Sequence, residues 1–256
     1  MDRSISIIMP ALNEEGCLQE TATMVVGAAT RQFDDYELII FDDGSTDTTG
    51  EIADRLAAQN PNILVVHNET NQGIGACYQK GIELSTKEYL VYIPGDMSDI
   101  CYRKDLESVF EPVGSADLVV GYLLFDARSF FRRNLSKAYV TILNLITGYR
   151  LKYYNGPNIC RRRLVQGLDG RTTGYGAFAG TLIDLLRSGA DYVEAGIPNR
   201  NLKDNSQALS VRSLLAVGSS IFKLARLTRT SSQVQPEAEW SEKPETMTTE
   251  TVKAAS

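Results

Sequence analysis

Short apolar runs alternate with longer segments whose apolar residues recur at helical spacing, and this rhythm persists from residue 5 to residue 121. The first run, residues 5–9, is closed by Pro10, and Asn13-Glu14-Glu15 then opens a segment of helical periodicity reaching toward Ala29. The same reading gives strands over 36–41, 63–66, 89–93 and 117–121, and helices over 47–58, 74–85 and 104–111. Strands that alternate with helices are joined by right-handed crossovers, so the expected architecture is α/β: a Rossmann-like, mainly parallel sheet with helices on both faces.

After Tyr122 the rhythm changes. Residues 129–147 look helical and carry Arg132, Arg133 and Lys137 near their start, just after Arg128. A helix over 178–187, ended by Gly189, precedes a short strand over 192–194. Residues 208–227 form a further apolar segment that bears Arg212, Lys223 and Arg226, which suits a packing helix or one lying in a lipid interface. Residues 231–256 hold five Glu against two Lys among Ser, Thr and Pro, the composition of a disordered tail. The expected organisation is therefore one main domain over 1–206, an amphipathic segment over 207–229 and a tail over 230–256.

A formal net charge of -6 argues against a nucleic-acid partner held by phosphate attraction. The four cysteines show no CxxC spacing, which suits a reducing compartment. A single histidine, His67, leaves serine triads and histidine-ligated metals without their parts, but oxygen ligation of a hard cation is unaffected. The N-terminus lacks the apolar core of a signal peptide, and no uncharged apolar run of about twenty residues is present. A cytoplasmic protein, peripheral at a membrane if it meets one, is expected.

Acid stands at the carboxyl ends of two of these strands. Residues 38–41 run into Asp42-Asp43-Gly44-Ser45-Thr46-Asp47, and residues 89–93 run through Pro94-Gly95 into Asp96. In open α/β sheets ligands sit outside that edge, so the acids are placed to hold a cation and a nucleotide. Asp47 or Ser45 can be accounted for as helix caps, but Asp42 and Asp43 together carry a desolvation cost that a ligand would offset. Asp96 is the first choice of magnesium ligand, since Mg2+ needs one or two carboxylates beside waters and substrate phosphates. Gly95 would let a bulky ligand approach the backbone. Pro10-Ala11-Leu12-Asn13-Glu14 reads equally as a helix N-cap, and Asn71-Gln72-Gly73-Ile74-Gly75-Ala76 equally as a tight turn before a closely packed helix.

Taken in order and spacing, these four motifs resemble family 2 glycosyltransferases of the GT-A fold, strongly over residues 4–122. More loosely, to about residue 227, the chain resembles the polyprenyl-phosphate (dolichol-phosphate type) sugar transferases, through Arg132-Arg133-Asn134-Leu135-Ser136, residues 161–163, 175–178, 194–197 and 200–206. The resemblance implies that Pro10, Leu12, Glu14, Asp43, Gly73 and Gly95 line the nucleotide-sugar pocket and that Asp42 contacts the base. It implies that Asp96 holds Mg2+ or Mn2+, and that a basic side chain such as Arg133 stabilises the departing diphosphate. Arg128, Arg132, Arg200 and Ser206 become candidates for the acceptor phosphate. The sequence departs from the family pattern at Pro94, which replaces the first acid of the DxD-like motif, at Asn155-Gly156, where an acid is common, and at Thr181, where Glu is frequent.

The implied activity is inverting transfer of a sugar from a UDP or GDP donor to a polyprenyl phosphate at the cytosolic membrane face. A hydroxyl acceptor would instead need a carboxylate base, for which Asp126, Asp169 and Asp184 are the candidates. A non-catalytic nucleotide-binding module is the third reading. The long segments 129–147 and 208–227 could pack in a homo-oligomer or against lipid.

Overall fold

The computed structural model describes residues 3–96, 103–124, 130–168 and 177–197 of the 256-residue chain. Seven strands form one sheet in the order β3-β2-β1-β4-β6-β5-β7: β1 (Ser4–Ala11), β2 (Asp35–Asp42), β3 (Ile63–His67), β4 (Tyr89–Tyr92), β5 (Leu118–Leu123), β6 (Asn158–Arg161) and β7 (Tyr192–Ile197). β1 pairs in parallel with β2 and β4, β2 with β3, and β5 with β7. β6 alone runs antiparallel, filling the gap between β4 and β5. The expected mainly parallel sheet is present, but β6 is a strand that the alternation did not announce. β1 is central and buried along residues 5–11, as a continuous apolar run flanked by parallel neighbours should be.

Strand parity sorts the helices between two faces. Ile5, Ile7, Met9, Leu38, Ile40 and Val91 point to the side covered by α1 (Leu18–Gln32), α2 (Thr49–Gln59) and α4 (Arg103–Phe110). Ile8, Ile39, Phe41, Leu90 and Cys160 point to the side of α3 (Ile74–Leu84), α6 (Arg162–Gln166) and α7 (Ala177–Arg187), joined by Leu143 of α5 (Phe130–Thr147). Each fully buried side chain of this size contributes roughly 1.5–3 kcal/mol of transfer free energy, so both faces are needed to hold the sheet. α3 lies especially close to β1, because a Cβ on Gly81 would stand 2.5 Å from Ile8 Cδ1.

Several expectations shift. The first helix starts at Leu18 rather than at Asn13, so Asn13 is no N-cap. Residues 208–227, the tail beyond 230, Arg128, Arg200, Ser206, Asp126, Asp169 and the side chain of Arg132 lie outside the described residues. Among the described residues, no helix is long and apolar enough to cross a membrane.

Candidate active site

The loops after β1 and β2 are stitched into one rim. Asn13, in the left-handed region at φ 56°, accepts the Thr46 backbone N–H through its side-chain oxygen at 2.8 Å, and its own N–H donates to Ser45 Oγ at 3.0 Å. The Glu14 N–H donates to Thr49 Oγ1 at 2.7 Å, and Glu15 Oε2 accepts from the Thr48 hydroxyl at 2.8 Å. Asn and short hydroxyl side chains are the residues that satisfy turn backbones in this way. Gly44, at φ 79°, completes the rim, because a Cβ there would stand 2.7 Å from the Asn71 nitrogen.

Strand parity separates the two neighbouring acids. Asp43 follows Ile39 and Phe41 to the α3 side, where its Oδ1 accepts from Asn68 Nδ2 at 2.8 Å and the Gln72 N–H at 2.9 Å, and its Oδ2 accepts from the Gly73 N–H at 2.9 Å. This carboxylate holds the 68–73 turn in place, and Gly73 meets it with a φ of 84° that disfavours side chains. Asp42 follows Leu38 and Ile40 to the α2 side. Of the two acids, Asp43 is among the residues that line the cavity and Asp42 is not.

Asp42 is engaged elsewhere, accepting from the Ser45 N–H at 3.1 Å and meeting His67 Nδ1 at 2.9 Å, while His67 Nε2 lies 3.1 Å from Asp54 Oδ1. Burial pushes the Asp42 carboxyl up, but the hydrogen bonds from Ser45 and His67 outweigh it and hold the group below its ordinary 3.8. Hydrogen bonds to Asp42 and then Asp54 raise His67 above its ordinary 6.5. The histidine's contribution to stability is therefore complete below 6.5 and fades as pH rises through the folded value; that of Asp42 is present above 3.8 and fades in acid. Because the imidazole is 46% exposed, solvent screens the effect. His67→Gln is expected to lower the melting temperature most below about pH 6.5, with the gap to the parent narrowing toward about pH 9. A scan by differential scanning fluorimetry that found the same gap at every pH would count against the paired imidazolium.

A cavity of 920 Å³ opens beside this rim, at the carboxyl ends of β1 and β4 on the α3 side. Pro10, Leu12, Glu14, Asp43, Gly73, Gly95 and Asp96 all line it. Burial raises the Glu14 carboxyl; the Cys17 thiol, donating to Glu14 Oε2 at 3.0 Å, opposes this, and the charges of Asp96 and then Asp47 push it further up. Glu14 and Asp96 are thus near enough to feel each other. The exposed Asp96 carboxylate, with Glu14 nearby and room for phosphate oxygens, fits a hard divalent cation, although no three potential ligands cluster among the described residues. Gly95 has a packing reason as well as a ligand reason: a Cβ would meet Ala11 Cβ and the Pro10 carbonyl, both at 3.2 Å.

The second half of the wall comes from the loop before β6, a strand that the sequence reading did not announce, and from α7, the helix it placed over 178–187. Asn155, Gly156, Pro157 and Asn158 precede and begin β6, and Phe178, Thr181, Leu182 and Leu185 descend α7. Gly156 packs so closely that a Cβ would fall 2.0 Å from the Gly121 carbonyl oxygen. Asn158 Nδ2 donates to the Tyr154 carbonyl at 3.2 Å while its Oδ1 is buried without a partner, a state that water or ligand would relieve.

Among the described residues, no Lys or Arg lines the cavity. Arg133 is exposed on the first turn of α5 and is not among the residues that line the cavity. Arg161 and Arg162 sit at the opposite end of the sheet: Arg161 pairs with Glu88 and with Asp117 at 3.0 Å, and Arg162 Nε donates to the Lys87 carbonyl at 2.7 Å. Asp184, raised by burial on α7, also lies off the cavity wall.

Comparison with known proteins agrees with this geometry. The chain is 32% identical over 133 residues to a PGL/p-HBAD biosynthesis glycosyltransferase of Mycobacterium bovis, covering 49% of this chain and 48% of that protein. It is 30% identical over 115 residues to the undecaprenyl-phosphate mannosyltransferase of Micrococcus luteus, covering 44% and 46%. The chain thus matches less than half the length of either relative. Its fold is similar to that of glucosyl-3-phosphoglycerate synthase from Mycobacterium tuberculosis, a GT-A enzyme, solved with Mn2+, UDP-glucose and phosphoglyceric acid. That likeness has a TM-score of 0.65 at 20% identity and covers 88% of this chain and 80% of the other. Residues 6–169, nearly two thirds of the chain, match the family described as glycosyl transferase family 2, and the protein belongs to that family.

Proposed function

We propose that this family 2 glycosyltransferase moves a sugar from a UDP- or GDP-linked donor to a polyprenyl phosphate, with inversion at the anomeric carbon, at the cytosolic face of a membrane. The observation that carries the reading is the distribution of charge around the cavity. Its three carboxylates, Glu14, Asp43 and Asp96, all stand at the rim, whereas the described part of the opposite wall offers Asn155, Asn158 and Thr181 and no acid.

In this reading Asp43, Pro10, Leu12, Glu14 and Gly73 receive the nucleoside, and Asp96 is the residue that would hold Mg2+ or Mn2+. Such a cation neutralises developing charge on a leaving diphosphate. A hydroxyl acceptor would need a base on the far wall, but a phosphate is already anionic near neutral pH, so Asn155 and Thr181 suffice there. Attack in line with the departing diphosphate inverts the sugar. The name of the Micrococcus luteus relative supports a lipid phosphate. So does α5, whose 18 residues contain no acid, expose Phe130, Ile142 and Leu145, and carry Arg133 and Lys137. Apolar and basic groups together on an exposed helix suit an anionic bilayer surface, where each cation contributes about 1 kcal/mol.

The test is a transfer assay with radiolabelled UDP- and GDP-sugars, offering polyprenyl phosphate in parallel with soluble sugars and phosphoglyceric acid. Label extracted into organic solvent only when the lipid phosphate is present is the expected outcome. Label passing to a soluble acceptor and never to lipid would refute the acceptor assignment.

A further inference from the structure

The first turn of α1 holds a buried hydroxyl that helix packing alone does not require. Thr21 is 1% exposed, and its Oγ1 lies 2.9 Å from the Cys17 carbonyl oxygen and 3.0 Å from that of Gly95. Thr23 and Thr30 of the same helix also donate to the carbonyl four residues back, but both are exposed, where water could serve as well. A hydroxyl taken out of water is costly unless it is bonded, and valine would fill the same volume without that demand. The Cys17 carbonyl already accepts the Thr21 N–H at 2.9 Å, so what the hydroxyl adds is the link to Gly95 on another element.

Gly95 is the last residue before Asp96, and it is gripped on three sides. Its N–H donates to the Pro10 carbonyl at 3.0 Å, its Cα is packed toward Ala11 and Leu18, and its carbonyl accepts from Thr21. The Cys17 thiol, 3.5 Å from the same carbonyl, donates to Glu14 Oε2 at 3.0 Å. The start of α1 therefore reaches both carboxylates on this part of the rim: Glu14 through the thiol, and Asp96 through the peptide that carries it. Because a peptide is planar, fixing the Gly95 carbonyl leaves only rotations within Asp96 itself to direct its carboxylate.

We propose that Thr21 is a positioning residue for the divalent cation: its hydroxyl sets the Gly95–Asp96 peptide so that the carboxylates of Asp96 and Glu14 face one space. This rests on the reading that Asp96 would hold Mg2+ or Mn2+, and adds to it the residue that keeps Asp96 aimed. Octahedral coordination tolerates little error in ligand direction, so an aspartate free to swing binds such a cation more weakly. Losing the hydroxyl should weaken cation binding by about tenfold, the worth of one ordinary hydrogen bond, and leave metal-free nucleotide binding nearly unchanged.

The experiment titrates Mn2+ by calorimetry into protein saturated with UDP and, separately, with GDP, and titrates each nucleotide alone in EDTA. Thr21→Val, which removes the hydroxyl and keeps the volume, is expected to lose about tenfold in Mn2+ affinity, with metal-free nucleotide affinity within about twofold of the parent. Thr21→Ser, which keeps the hydroxyl, is expected to recover most of the Mn2+ affinity. A role in helix packing alone would give the reverse order, since serine gives up a buried methyl and valine gives up none. If valine is not accepted at this position, Thr21→Ala against Thr21→Ser makes the same comparison, the two differing only in the hydroxyl. Parent-like Mn2+ affinity in Thr21→Val, or equal affinities in the alanine and serine variants, would overturn the proposal. Asp96→Asn in the same titration separates the two levels. If it binds Mn2+ as the parent does, the cation reading falls and the positioning role with it; if it binds weakly while Thr21→Val does not, only the positioning role falls.

Discussion

Asp96→Ala is expected to reduce sugar transfer by at least about a hundredfold to a thousandfold, equivalent to roughly 3–4 kcal/mol of lost transition-state stabilisation, and to leave the fold in place. The side chain is exposed at the end of β4 and lies outside both apolar cores, so its removal empties no packed volume. Pro94 stands two residues before Asp96, and Asp96 and Glu14 are the carboxylates on this part of the rim. The measurement is initial rate against Mg2+ or Mn2+ concentration for parent and variant, with melting temperature as the control. A variant that retained the parent's rate and the parent's metal dependence would show that Asp96 holds no cation during transfer.

Gly156→Ala is expected to act on folding and on the cavity together. Its added methyl would fall 2.0 Å from the Gly121 carbonyl oxygen, which belongs to the backbone of β5 and cannot turn aside as a side chain could. The loop must move, at a cost of roughly 3–5 kcal/mol, or about 10 °C in melting temperature for a domain of this size. Because Asn155 and Pro157 line the cavity on either side, activity in the surviving folded fraction should fall as well. Gly16→Ala is the control: it meets nothing within 4 Å and should change stability by less than about 0.5 kcal/mol. Equal melting temperatures for the two variants would mean that the 155–158 loop can relax at little cost.

The first half of the fold was legible because parallel strands buried on both faces must be apolar throughout, and each was bounded by a helix of clear periodicity. β6 was hidden for the opposite reason. Four residues, Asn-Ile-Cys-Arg, are too short for periodicity, and the arginines that follow look like a solvated basic run until Glu88 and Asp117 are seen across the sheet. At the rim, the acids were visible but their partners were not. The pairing of Asp42 with His67 and of Asp43 with the 68–73 turn joins residues 25 to 30 apart in sequence. Parity alone would have assigned the two aspartates to opposite faces, but it could not say which face holds the cavity. The apolar far wall carried no signal, since leucines on α7 look the same whether they meet a core or a ligand.

The antiparallel strand also has a consequence for how the chain is built. β5 has two neighbours in the sheet, β6 and β7, and both are encoded after it; β4 likewise gains its second neighbour only when β6 arrives. During synthesis, therefore, β1 to β4 can pair as they leave the ribosome, while β5 waits through the whole of α5 for residues 158–161. For that interval one edge of β4 and both edges of β5 lie open at once, the state in which nascent chains are most exposed to aggregation. The wall of the cavity formed by residues 155–158 is completed by that same late arrival, so the cavity takes its final shape only once β6 has paired.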